Sequence, residues 1–216
     1  MTERRKAETR MEIARAAAGL FVRRGLRATR AEDIAQIAGI APRTFYRYFA
    51  TKEEAVAPLY AAGAQRWAEA VRDAPAGLSL PEALEHAARH TLTPGAGVSA
   101  ASWEWVRTLV RLADDSPALR KVWAETCHGS ERTLTEVLAD RMAQGDDRAA
   151  AALADSPRLR FAAAVAGAAV RVAVEGWARC TAHEKSGRGP AALALRNLEA
   201  LRDFPWTSVT EAARPR

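Results

Sequence analysis

Residues 29–54 run TRAEDIAQIAGIAPRTFYRYFATKEE. Thr29 precedes an amphipathic stretch. Thr29 with Glu32 has capping-box spacing, a hydroxyl for the N3 amide and a carboxylate reaching back. Asp33 adds negative charge where the helix dipole favours it. Ile34, Ile37 and Ala38 form the expected buried face. Gly39 stops this helix and Ile40 packs into the turn. Pro42 opens the next helix at a position where its missing N–H costs nothing. That helix runs to about Phe49. Phe45 and Phe49, at i and i+4, face inward, leaving Arg43, Thr44, Tyr46, Arg47 and Tyr48 on the other sides. Thr51 and Glu54 form a second capping box, with Lys52 exposed beside it. Two short helices joined by a tight glycine turn make a helix-turn-helix, whose later helix fits the major groove of B-DNA.

A first helix, about Arg5 to Arg24, completes the unit. Ile13, Ala17, Leu20 and Phe21 share one face, and Gly25 ends it without Cβ cost. The side chains left outside suit a polyanion. Arg43 and Arg47 pair with guanine edges or phosphates, and Thr44 reaches either. Thr29, Tyr46 and Tyr48 offer hydroxyls to phosphate oxygens, and Lys52 sits near a helix N-terminus that also favours anions. Arg5, within Arg4-Arg5-Lys6, is expected on an arm entering an adjacent minor groove. The charge distribution agrees. Residues 1–52 carry twelve Lys/Arg against five Asp/Glu, whereas residues 53–216 carry twenty against twenty-one. The bland alternative is a helical bundle with a solvated basic arm.

The remainder reads as all-α. Alanine, leucine, arginine and glutamate dominate, and period-2 alternation is nearly absent. Further helices are expected at about 52–72, 81–90, 99–114, 116–142, 156–183 and 190–202, making about nine. At 216 residues, 49% hydrophobic and 27% charged, the chain has ordinary globular usage. The longest uncharged apolar run, Phe161 to Val170, is too short to span a bilayer, so no membrane partner is expected. The charged start leads into no apolar segment. Cys127 and Cys180 lack a CxxC partner, and the expected location is the cytoplasm. Glu82, His86 and His90 lie at i, i+4 and i+8, but the order is not HExxH, so a solvated face is favoured over a metal site. No P-loop, dinucleotide fingerprint or G-x-S-x-G occurs. No catalytic residues, metal or cofactor are expected, and the chain is read as not an enzyme.

The residues from about Arg10 to Tyr60 resemble the N-terminal domain of the TetR/AcrR family of bacterial transcriptional regulators. The resemblance is carried by Ile13-Ala14, Leu20-Phe21, Gly25 and Ala28-Thr29. It continues through Asp33-Ile34-Ala35, Ala38-Gly39-Ile40, Thr44-Phe45-Tyr46-Arg47-Tyr48-Phe49 and Lys52-Glu53. It implies DNA contacts from Arg43, Thr44, Tyr46, Tyr48 and Lys52, with Thr29 at the start of the second helix. Ala41 departs from the family's usual serine, which would cap the third helix. The resemblance also implies two domains: residues 1–52 bind DNA, and residues 53–216 form a helical ligand-sensing and dimerisation domain. The stretch Arg107-Thr108-Leu109 to Pro117-Ala118-Leu119-Arg120 is similar to members with an acyl-CoA-like ligand domain.

All six tryptophans lie outside the DNA-binding segment. Aromatic-lined clefts between helices are usual ligand sites. Trp67, Trp105, Leu109, Trp123, Phe161 and Trp177 are the expected pocket lining, with Arg107 or Arg111 meeting an acidic group. Core packing is the competing account of each tryptophan. Ala162, Ala166, Ala169 and Ala173 form a small-residue stripe that permits close helix approach. With Leu195, Leu198 and Leu201 of the last helix, it is expected to build a four-helix interface in a two-fold homodimer. The stripes could equally pack inside one chain. The implied partners are a near-palindromic double-stranded operator, a second copy and a small apolar or acyl-type effector. The implied function is a ligand-responsive repressor. The rivals are a sequence-tolerant DNA-binding protein without a sensor and a helical-bundle enzyme.

Overall fold

Good helix formers on 3.6-residue spacing produce an all-helical chain. The computed structural model describes residues 2–93, 95, 100–180 and 189–206, with no strand among them. Among the described residues there are ten α-helices: α1 Glu3–Arg24, α2 Ala31–Ile37, α3 Pro42–Tyr48, α4 Ala57–Arg72, α5 Leu80–Leu92, α6 Ala100–Asp115, α7 Pro117–Ala143, α8 Asp147–Ala154, α9 Pro157–Arg179 and α10 Pro190–Leu198. Short 3-10 turns at Glu54–Val56 and Glu199–Leu201 adjoin α4 and α10. The helix beyond the nine expected is α8. It follows the polar turn, where the Asp146 carboxylate accepts the backbone N–H groups of Arg148 and Ala149, both at 3.0 Å. That is an N-cap bond set, and it turns an apparent loop into a helix start.

Contacts divide the chain into two units. The first comprises residues 1–63 and 101–126, the second residues 64–100 and 127–216. The core of the first unit joins Ile13, Leu20 and Phe21 of α1 to Ile34 of α2, Phe45 of α3 and Val56, with Leu109 and Leu119 from later helices. Tyr60 closes it, donating its hydroxyl to the Leu109 carbonyl at 3.1 Å and meeting the Trp123 ring edge-on at 4.9 Å.

In the second unit α10 packs on both α9 and α5. Asn197 on α10 donates to the Ala169 carbonyl on α9 at 2.9 Å. Leu84, Leu134, Leu138, Leu159 and Leu198 are fully buried. Arg141 on α7 closes the end of α4: its guanidinium donates to the carbonyls of Val71, Arg72, Ala74 and Pro75 at 2.7–3.2 Å. Val71 and Arg72 offer carbonyls that a helix end leaves without intrahelical partners, and Ala74 and Pro75 lie in the turn that follows. On α5, Glu85 is nearly buried. It takes two hydrogen bonds from Arg202, at 2.7 and 3.1 Å, and one from Arg89 at 3.0 Å. Chiefly because of the Arg202 hydrogen bonds, and against desolvation, its carboxyl sits below the ordinary range.

By length and composition α9 could cross a membrane, with a mean hydropathy of 1.4 over its apolar window. The ten-residue run read from sequence understated this, because isolated arginines interrupt a longer apolar helix. In the structure α9 is a packed helix that buries Leu159, Ala162, Ala163, Ala166, Ala173, Val174 and Ala178. The expected extension of this helix to about His183 lies partly outside the described residues.

Candidate nucleic-acid interface

The first three helices build the site. Gly25 ends α1 at φ +80°, ψ 159°, and its N–H returns to the Phe21 carbonyl at 3.0 Å. That backbone region is essentially closed to other residues. The chain re-enters a helix at Ala31, one residue later than a Thr29 cap implies. The Thr29 hydroxyl donates to the Gly25 carbonyl at 2.9 Å, and its side chain is only 1% exposed. The cap is therefore shifted by one residue: Arg30 occupies the N-cap position and its backbone N–H is accepted by Asp33 at 2.9 Å. Gly39, at φ +67°, makes the turn between α2 and α3. Ile34 is buried as expected, but Ile37 is 52% exposed, because α2 ends at that residue and its last turn faces solvent.

α3 starts at Pro42 with Ala41 as N-cap and no side-chain cap. Phe45 and Phe49 are buried, their rings 5.8 Å apart. That fixes the helix phase and leaves Arg43, Tyr46 and Arg47 exposed, with Thr44 and Tyr48 half-buried. Tyr46 is 53% exposed, and its hydroxyl lies 3.4 Å from a Glu32 carboxylate oxygen as donor. The Arg47 guanidinium sits 5.7 Å from the centroid of the Tyr48 ring. After α3, Thr51 accepts the Glu54 N–H at 3.2 Å, while the Glu54 carboxylate takes the Ala50 N–H at 3.0 Å. The expected fourth helix therefore begins as the 3-10 turn at Glu54. Lys52 is half-buried, its ammonium donating to the carbonyls of Leu26 at 2.7 Å and Thr29 at 2.8 Å. Arg5 is exposed, but it lies within α1 and not on an extended arm. Neighbouring Arg4 and Lys6 pair with Glu8 and Glu3 along that helix.

One residue that sequence reasoning missed is Arg10. It donates to the Tyr48 carbonyl at 3.1 Å and covers the Phe49 ring at 4.7 Å. The two partners are 38 positions apart, and no local pattern signals such a bond.

The other expected site residues fall in separate units. Trp105, Arg107, Leu109 and Trp123 belong to the first. There Arg107 and Leu109 are buried, Trp123 is half-buried and Trp105 is exposed. Trp67, Phe161 and Trp177 belong to the second. Trp67 is 6% exposed, and its indole N–H has no hydrogen-bond partner among the described residues. Phe161 is 60% exposed, 6.1 Å from the Phe204 ring. In the expected dimer stripe Ala162, Ala166, Ala173 and Leu198 are covered within their own chain, whereas Ala169 and Leu195 are half-buried. A side chain with no exposed area in its own chain has none left to give a partner. His86 and His90 are exposed, and the described residues contain no metal-ligand cluster. Cys127 is half-covered, and desolvation pushes its thiol up to about 12, so it is a poor nucleophile at neutral pH.

A three-helix unit that buries a phenylalanine of its last helix and another just after it, and presents arginine, threonine and tyrosine outward, belongs to the helix-turn-helix DNA-binding proteins. Residues 13–57 match the model of the family described as bacterial regulatory proteins, tetR family. Over these residues the chain is similar to that family of transcriptional regulators. It is 29% identical over 179 residues to the HTH-type transcriptional regulator TcmR of Streptomyces glaucescens, covering 82% of this chain and 76% of that protein. Among solved structures, it is similar to FadR of Thermus thermophilus, a TetR-family repressor solved with lauroyl-CoA. The identity is 25% and the TM-score 0.54, over 89% of this chain and 92% of that one. GusR of Salmonella enterica shares the fold at 19% identity, with a TM-score of 0.55 over 94% of this chain and 96% of that one.

Proposed function

We propose that this regulator is a repressor that binds a near-palindromic operator and is released by a small apolar or acyl-type effector. The observation that carries the reading is the outward set on α3, Arg43, Thr44, Tyr46 and Arg47, held in phase by buried Phe45 and Phe49. In this reading residues 1–52 bind DNA and residues 53–216 sense the effector and dimerise. Arg43 reads a base edge and Arg47 a base or phosphate, while Tyr48 adds a phosphate bond and Arg5 a backbone contact. The protein has no catalytic role and works in the cytoplasm, where bacterial DNA is.

The acyl-type effector draws support from the FadR likeness and from the buried, unpartnered indole N–H of Trp67. Such a group is costly until an acceptor meets it. For the dimer, the exposed Phe161 and Val172 of α9 and the half-buried Ala169 and Leu195 offer area to a second copy. Release requires only that the effector bind better to the state that binds DNA worse.

The test is fluorescence anisotropy of the intact protein on labelled duplex, first in dilute salt and then with long-chain acyl-CoA added. Binding followed by release supports the proposal. Binding that acyl-CoA leaves untouched removes the acyl part, and no binding removes the whole.

A further inference from the structure

A cleft of about 620 Å³ in the second unit lies along the first half of α5 and the chain just beyond α10. Leu78, Pro81, Glu82, Glu85, Arg89 and Arg202 are among the residues that line it. Glu85 is the buried member, its side chain 7% exposed. Arg202 alone takes both of its oxygens, through Nε at 2.7 Å and Nη2 at 3.1 Å. Arg89 adds a further bond at 3.0 Å. One guanidinium already matches one carboxylate in charge and in fork geometry, so the second leaves a positive charge over. A guanidinium carries five N–H donors. Arg202 commits two of them and Arg89 one, and both side chains stay more than half exposed.

Glu82 supplies the opposite charge. One of its carboxylate oxygens takes the Ser79 hydroxyl at 2.7 Å and the Ser79 N–H at 2.8 Å. These two bonds hold its carboxyl below the ordinary range, and the nearby charge of Arg202 lowers it further. No ion pair joins Glu82 to Arg202 among the described residues, and the second Glu82 oxygen has no partner among them.

We propose that this cleft binds a small zwitterion of the aliphatic α-amino acid type, with its carboxylate on Arg89 and Arg202, its ammonium on Glu82 and its apolar substituent on Leu78 and Pro81. The distribution of charge selects the class. The four ionised side chains sum to zero, but Glu85 is spent on the two arginines, which leaves a positive end at the guanidiniums and a negative end at Glu82. A plain anion would face Glu82, and a plain cation would face the guanidiniums. Only a ligand with both charges meets an opposite charge at each end. Glu85 fixes both guanidiniums in advance, so binding orders little that is not already ordered. Leu78 and Pro81, both half-buried, offer the apolar surface beside them. The site shares no residue with the DNA interface or with the expected effector pocket.

The test uses the intact protein without DNA, so its outcome is independent of the DNA-binding reading. The probes are L-leucine, isocaproate (leucine without its ammonium), isoamylamine (leucine without its carboxylate) and inorganic phosphate, at constant ionic strength. Binding is followed by the amide NMR shifts of Ser79, Glu82 and Arg89. Leucine should saturate these shifts with a Kd below about 10 mM, and each of the other probes should bind about tenfold more weakly. Glu82→Gln keeps an oxygen for the helix start and removes the charge. It should weaken leucine about tenfold and leave isocaproate unchanged. Arg89→Gln should weaken leucine and isocaproate alike, while Arg202 still holds both oxygens of Glu85. A merely structural role would make Glu82→Gln weaken leucine and isocaproate by the same factor, and that result overturns the proposal. So does isocaproate or phosphate binding as tightly as leucine, which would make the cleft an anion site, and so does a leucine titration without saturable shifts. If Arg89→Gln does not fold, the ratio of the two ligands on Glu82→Gln decides alone.

Discussion

Single residues carry most of the chemistry here. Ala41 occupies the N-cap of α3, where a hydroxyl would accept a first-turn N–H. Ala41→Ser should therefore stabilise the chain by about 1 kcal/mol, read as a higher urea midpoint with unchanged slope; an unchanged midpoint would mean that the α3 start is already satisfied by water. Arg43 stands exposed on the outward side of α3. Arg43→Ala should cost about 1–3 kcal/mol on the selected operator and relax preference at one base pair. Uniform loss at every position would make it a phosphate contact instead. Side-chain phase on α3 was legible in the sequence, because Phe45 and Phe49 at i and i+4 leave only one way to face the core. The task of Thr29 was not legible. A threonine before an apolar run reads as a cap, and only the positive φ of Gly25 brings a carbonyl to within 2.9 Å of its hydroxyl.

Helices add what no residue shows alone. Arg141 joins α7 to the end of α4 through four carbonyls, in partners 66–70 positions apart. Arg141→Ala should destabilise by about 2–3 kcal/mol, because charged hydrogen bonds are lost and part-buried carbonyls stay behind. Equal urea midpoints would show that water replaces the guanidinium. Glu85 on α5 gives a pH signature. Its folded carboxyl lies below its ordinary value of 4.5, so its contribution is present above that value and is lost as pH falls through the folded value. Glu85→Gln should lower the melting temperature at pH 7, and the gap to the parent should close toward pH 3. A constant gap would mean that packing, not the Arg202 and Arg89 bonds, makes Glu85 matter. Helix existence was legible from periodicity, with starts marked by Pro42, Pro117, Pro157 and Pro190. The exception was α8, an alanine-rich segment without an apolar stripe. Long-range partners such as Arg10 with Tyr48 and Glu85 with Arg202 were not legible, since local spacing carries no information about them.

For the whole molecule, the regulator reading joins a basic first quarter to a near-neutral remainder. The family resemblance followed from the dense motif between Ile13 and Glu53, and the all-helical class from helix formers without period-2 alternation. The dimer surface did not, because α9 has small residues on every side and composition alone cannot choose the outward one. Light scattering at micromolar concentration should give the mass of two chains, and a single-chain mass would contradict the two-fold reading. The central claim, that α3 reads DNA sequence, is tested most directly by selecting bound duplexes from a random pool with the full-length protein. The account predicts an enriched inverted repeat with half-sites about one helical turn or somewhat more apart; a pool that stays unenriched, or a protein that captures no duplex even in dilute salt, would contradict it.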